Sequence, residues 1–180
     1  MDILEKIIAD KRREVALKKS IIPVSQLENS ILFNSRTNSL SKLLQNSSSG
    51  IIAEHKRKSP SKSTINSSFT EEEVVKGYQN AGVCGISVLT DMKYFGGSLE
   101  DLLLARASVT IPLLRKEFII DEYQLIEAKA HGADVILLIA AVLTRQEIKY
   151  LSEFAQSLGL EVLLEVHNEE ELQKAIMPSL

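Results

Sequence analysis

Cysteine is almost missing from this chain: Cys84 stands alone among 180 residues, which excludes an internal disulfide framework. It opens the apolar run Cys84-Gly85-Ile86-Ser87-Val88-Leu89 and reads as a buried, unreactive thiol rather than a nucleophile. No apolar stretch is long enough to span a bilayer. The N-terminus is amphipathic and charged from Asp2 onward, without the apolar segment of a secretion signal. A cytoplasmic protein is the expectation. A dominant charge sign is missing as well. The formal net charge of −3 gives no overall pull toward nucleic acid or membrane. No glycine-rich dinucleotide or Walker loop follows any apolar run, so the nucleotide-binding versions of an α/β fold lose weight. No cluster of His, Cys and Asp has metal-ligand spacing, and neither a metal nor a cofactor is expected.

What is present suits one globular domain. The chain is 44% hydrophobic and 25% charged, enough apolar surface to order a core of this size. Basic residues cluster locally, from Lys11 to Arg13, at Lys18-Lys19 and from Lys56 to Lys62. The first two clusters are expected to be solvated helix faces.

Residues 1–50 differ from the remainder. Ile3, Leu4, Ile7, Ile8 and Val15 fall at helical spacing after Asp2, an N-cap candidate. Two short helical pieces follow near Val24–Leu32 and Leu40–Gln45, and Asn46-Ser47-Ser48-Ser49-Gly50 reads as a loop. From residue 51 the chain alternates. Apolar runs at Gly50–Glu54, Gly85–Leu89, Ile111–Leu114, Val135–Ile139 and Val162–Val166 lack polar alternation, as strands covered on both faces do. Each precedes a helix start: Thr70 with Glu73, Ser98 with Asp101, Asp121 with Gln124, Thr144 with Glu147, and Asn168 with Glu171. All five have capping-box spacing, and Gly82, Gly132 and Gly159 sit where helices should stop. Five βα units in a row predict a parallel sheet preceded by a helical extension. Spacing does not separate an open sheet from a barrel.

Three of these strands finish on charge. The first runs into Glu54-His55-Lys56-Arg57-Lys58, the third into Arg115-Lys116-Glu117, and the fifth into Glu165-Val166-His167. Charge is costly to bury unless it is paired or used, and the C-terminal ends of parallel strands are where α/β folds build active sites. Glu54 and Lys56 are two apart and face one side. With Lys116 and Glu165 they make two lysines and two glutamates that can converge, a set able to donate a proton, accept one and hold an anion. An ion-pair network closing the top of the sheet is the competing reading. Ser59-Pro60-Ser61-Lys62-Ser63 is either an anion-binding loop or an ordinary surface turn. His55 should face away from Glu54 and Lys56, toward the helix layer, in a structural role. His167 shares the face of Glu165, and its role stays open.

At these residues the chain resembles a known family, the indole-3-glycerol phosphate synthases of tryptophan biosynthesis. The resemblance is carried by Ile52-Ala53-Glu54 with Lys56 and Ser59-Pro60-Ser61-Lys62, and by Ser87-Val88-Leu89-Thr90-Asp91 with Tyr94-Phe95-Gly96-Gly97-Ser98. It continues through Leu114-Arg115-Lys116 with Phe118-Ile119-Ile120-Asp121 and Tyr123-Gln124, Gly132-Ala133-Asp134 with Leu137-Leu138-Ile139, and Glu165-Val166-His167. The match covers residues 51–177, and a helical extension at residues 1–50 also fits the family. It implies a (β/α)8 TIM barrel, with an extension at 1–50 and strands one to five of the barrel within 51–180. It also implies a lyase. The reaction closes the indole ring of a carboxyphenylamino-deoxyribulose phosphate with loss of carbon dioxide and water.

By the same resemblance, Lys116 is the general acid on the substrate carbonyl and Glu165 acts in the removal of water. Lys56 positions the substrate's anionic groups and can donate a proton, Glu54 supports it, and Ser59 and Phe95 help bind the substrate. His55, Ser63 and Glu117 stand where the family usually has an apolar residue, glycine and aspartate. A barrel of this type needs roughly 250 residues and eight strands, so this sequence looks like the first two-thirds of such an enzyme. On that reading the 180-residue chain by itself lacks useful activity and self-associates through an open sheet edge. Two other readings stay open: a non-catalytic barrel fragment, and another phosphosugar-binding barrel enzyme such as an isomerase.

Overall fold

The computed structural model describes residues 2–65, 68–177 and 180. Three helices come first: α1 (Ile3–Ile21), α2 (Val24–Glu28) and α3 (Leu40–Asn46). The alternation then runs β1 (Ile52–His55), α4 (Glu71–Asn80), β2 (Gly85–Leu89), α5 (Met92–Phe95), α6 (Leu99–Ser108), β3 (Leu113–Lys116), α7 (Glu122–Ala130), β4 (Val135–Ile139), α8 (Arg145–Ser157), β5 (Glu161–Glu165) and α9 (Glu169–Ala175). The five strands form one parallel sheet in the order β1-β2-β3-β4-β5. Sequential neighbours joined by helical crossovers are the (β/α) pattern of a barrel wall. Among the described residues no helix is long and apolar enough to cross a membrane.

Side chains alternate across this sheet. Ile86, Val88, Leu113, Ile136 and Leu138 point to one face, where they pack with Val75, Leu102, Leu125, Ile148 and Leu151 of the crossover helices. Leu114, Val135, Leu137 and Ile139 point to the other face, whose N-terminal end is covered by Leu40 and Leu44 of α3. Burying a side chain of this size contributes about 1.5–3 kcal/mol, so the two faces supply most of the driving force. α1 and α2 lie against α7, with Val15 and Leu27 packed on Tyr123 and Ile126, and the Tyr123 hydroxyl donates to the Ile22 carbonyl at 3.1 Å.

The capping residues act as their types predict, with a difference in detail. Asp2, Thr70 and Thr144 close full capping boxes. Ser98, Asp121 and Asn168 cap by side chain alone. At Asp121 the expected partner Gln124 is used elsewhere: it accepts from the Ile120 N–H and donates to the Phe118 carbonyl. Gly82, Gly132 and Gly159 take the left-handed conformation past α4, α7 and α8, where a side chain would be strained.

The third strand lies later than its apolar run suggests. Leu113 to Lys116 make the ladder because Arg115 can be buried: its guanidinium donates to Thr90, the Gln124 carbonyl and Glu127. Its register is Arg115 beside Val88 and Lys116 beside Leu89. The basic cluster from Lys11 to Arg13 is not wholly solvated either. Lys11 is 2% exposed and sits among carboxylates. Lys18 is partly buried and pairs with Glu127, whereas Lys19 is exposed and pairs with Asp121 at the surface.

Candidate functional site

The two-residue repeat of a strand brings the site together. Glu54, Ser87, Lys116 and Glu165 all lie on the sheet face opposite the crossover helices, toward the C-terminal ends of their strands. Ser87 is the register neighbour of Glu54, and its hydroxyl donates to Glu54 Oε2 at 3.0 Å. The Glu54 carboxylate bridges both lysines: Lys56 Nζ is 3.0 Å from Oε1 and Lys116 Nζ is 3.2 Å from Oε2. Burial opposes ionisation of Glu54. The hydrogen bond from Lys56 and the charge and hydrogen bond of Lys116 outweigh it and hold the carboxyl below the usual range.

Above this triad is a pocket of about 220 Å³, lined by Lys56, Phe95, Lys116, Phe118, Leu137 and Glu165 among others. The rings of Phe95 and Phe118 are 6.0 Å apart, centre to centre, and Lys56 Nζ is 6.0 Å from the Phe95 ring centre. Such a pocket can hold a flat apolar ring between aromatic walls while two ammonium groups meet an anion. A second space of about 390 Å³ shares Lys116, Leu137 and Glu165 with it and is also lined by Glu54, Leu114 and Leu163. A larger groove of about 420 Å³ lies at the other end of the sheet. Two of its cations have structural partners: Arg106 meets Asp134, and Lys129 donates to the Ser35 carbonyl.

Glu165 lines the same pocket as Lys116 and Lys56, and its Oε1 lies 3.5 Å from His167 Nε2. His167 is itself 62% exposed at the rim and also meets Glu171. Ser59 is not among the residues lining the pocket. It closes a tight turn, its N–H donating to the Lys62 carbonyl at 2.8 Å and Lys62 N–H returning the bond at 3.1 Å. The loop carrying it is fastened to the β2 side, since Arg57 donates to the Gly96 carbonyl and pairs with Asp101. His55 turns to the helix layer, where Nδ1 meets Glu71 Oε2 at 2.8 Å in a buried pair. Burial pushes the Glu71 carboxyl up, against the pull of His55.

The model of the family described as indole-3-glycerol phosphate synthase matches residues 4–179. The chain belongs to the indole-3-glycerol phosphate synthase family. It is 52% identical over 171 residues to the indole-3-glycerol phosphate synthase of Bacteroides thetaiotaomicron, covering 95% of this chain and 66% of that protein. It is 43% identical to the indole-3-glycerol phosphate synthase of Neisseria meningitidis serogroup B over 186 aligned residues, covering 96% of this chain and 68% of the relative. The chain thus spans about two thirds of the length of the curated relatives it matches.

Within this indole-3-glycerol phosphate synthase fold, strand periodicity alone did not report that Asp91 and Glu117, in the pocket lining, are buried against Lys11. Asp91, Glu117 and Lys11 are each 3% exposed or less. Lys11 lies 2.9 Å from Asp91 Oδ2 and 3.0 Å from Glu117 Oε1. A signal was available in the sequence: Ile7, Lys11 and Val15 are four apart, which puts the lysine in the buried stripe of α1.

Proposed function

We propose that this site closes the indole ring of a carboxyphenylamino-deoxyribulose phosphate, with loss of carbon dioxide and water. The observation that carries the reading is the Glu54 carboxylate held between Lys56 and Lys116 beneath two aromatic walls. The one carboxylate lies within ion-pair distance of both ammonium groups. Lys116 gives a proton to the substrate carbonyl as the aryl carbon attacks it. The new carbon–carbon bond forms, the carbonyl oxygen becomes a hydroxyl, and the aryl carboxylate leaves as carbon dioxide with its electrons restoring the ring. Loss of that hydroxyl as water needs one proton delivered to oxygen and one removed from the ring system, the work we assign to Glu165. Lys56 attracts the substrate's anionic groups, Phe95 supports the ring, and Ser59 contributes from the loop after β1.

Localisation and assembly belong to the same proposal. A ring-closing lyase on a phosphosugar would work in the cytoplasm, and the sheet edges at β1 and β5 would let copies of this chain associate. We propose further that the 180-residue chain alone turns over slowly. The pocket is walled by β1 to β4 and Glu165, while the face of β5 carries Leu163 at 37% exposure. The same open edge favours the second reading, a scaffold that associates without turnover.

A turnover assay on this chain, following indole fluorescence beside a family member of full relative length, tests the reading. Glu165→Gln sharpens it: the variant keeps shape but cannot take up the proton, so rapid-quench analysis should show a ring-closed, still hydrated intermediate. No intermediate, with only a loss of stability, would mean that Glu165 is a structural ion-pair member.

A further inference from the structure

Lys11 lies against two charged residues of the pocket lining, Asp91 and Glu117, and the proposed chemistry uses none of the three. It lies in the buried stripe of α1, and its ammonium has three N–H donors. Three carboxylates meet them: Glu14 at 2.8 Å, Asp91 at 2.9 Å and Glu117 at 3.0 Å. Two of these carboxylates hold the aromatic walls. Asp91 caps α5 by accepting the Tyr94 N–H at 2.7 Å, and α5 carries Phe95. Glu117 follows Lys116 directly; its Oε1 accepts the Phe118 N–H at 2.8 Å, and its Oε2 accepts the Thr90 hydroxyl at 3.0 Å. The neighbouring Asp10 adds a second clasp on α5, accepting from Lys93 at 2.6 Å and from the Tyr94 hydroxyl at 2.5 Å.

We propose that Lys11 is a positioning residue that ties the loops after β2 and β3 to α1 and so sets the spacing of Phe95, Phe118 and Lys116. It touches no reacting atom. The inference rests on the synthase reading only for what fills the pocket; the positioning is read without turnover. A lysine that merely neutralised buried carboxylates would support the whole fold evenly. A tie between two loops fails locally when it is cut.

The test compares amide hydrogen exchange in the wild-type chain and in Lys11→Met, together with binding of indole-3-glycerol phosphate followed by fluorescence. The Tyr94 and Phe118 amides should exchange roughly tenfold faster or more relative to Leu151 in the distant α8, and the phosphate ester should bind more weakly by a similar factor. Rescue comes from Lys11→Cys in a Cys84→Ala background, alkylated with 2-bromoethylamine while unfolded and then refolded. This restores an ammonium on a thioether stem, and with it protection and binding.

If Lys11→Met does not fold, Lys11→Met/Glu117→Gln leaves the summed charge of positions 11, 91 and 117 unchanged, and Tyr94 remains the reporter. Equal acceleration at Tyr94, Phe118 and Leu151, or no acceleration at all, would overturn the proposal. A wild-type chain that fails to bind indole-3-glycerol phosphate would count against the synthase reading alone, and the exchange comparison would still decide the role of Lys11.

Discussion

A general acid must reach the atom it protonates and give its proton away. In the proposed role of Lys116, its Glu54 partner is shared with Lys56, each ammonium meeting a different carboxylate oxygen. Where turnover is measured, Lys116→Met should lower kcat by about 10²-fold or more, as expected for loss of a general acid. A variant with near-normal kcat would remove Lys116 from that role. Glu54 gives a pH prediction with a definite sign. Its folded pKa is depressed, so the native state binds fewer protons than the unfolded state as this group titrates. The contribution is complete above the unfolded value, about 4.3, and is lost as pH falls through the lower folded value. Urea unfolding of wild type and Glu54→Gln should therefore differ at neutral pH, with the difference closing below about pH 4.3. A difference that persists at pH 2 would mean that packing, not charge, holds Glu54.

Elements were readable in proportion to how local their signals are. A cap and its partner are three residues apart, so the starts of α4, α6, α7, α8 and α9 follow from residue types. The face of Glu54 and the opposite face of His55 follow from strand pleating alone. The short helix α5 did not, since its four residues are held by Asp91, Asp10 and a tight turn. The helical spacing of Ile7, Lys11 and Val15 reports that Lys11 is buried, but its partners Asp91 and Glu117 lie far along the chain, and no local pattern names them. Gly97 shows how tight that turn is. A Cβ there would come within 1.9 Å of the Leu89 carbonyl oxygen. Gly97→Ala must shift the chain between β2 and α6, and with it Phe95, at a cost of about 1–3 kcal/mol in urea unfolding. Gly77 is the control: nothing lies within 4 Å of its added Cβ, in the exposed part of α4. Gly77→Ala should raise stability by roughly 0.5–1 kcal/mol. Equal effects at the two glycines would show that the turn adapts and that Phe95 is not fixed by it.

At the scale of the molecule, the sheet has two outer strands, β1 and β5. An edge strand offers a row of backbone donors and acceptors to any extended partner. Here the neighbouring side chains are apolar: Ile51 is 51% exposed, and Leu163 and Val166 are each 37% exposed. Leu163 continues the row of Leu114 and Leu137 on the pocket face, with Leu137 as its register neighbour. A second copy could cover this row and satisfy the edge at once, burying apolar area and pairing backbone groups in one contact. The expected result is mass-action association in sedimentation or light scattering, with average mass rising with protein concentration. Leu163→Lys places a charge on that row, where burial without a partner is costly. It should shift the association to higher concentration while leaving monomer stability within about 0.5 kcal/mol, since the site is already partly solvated. If the wild-type chain stays monomeric at every concentration, the edge is protected and the association proposal fails. If Leu163→Lys associates as strongly as wild type, the contact lies elsewhere, with β1 the next edge to test.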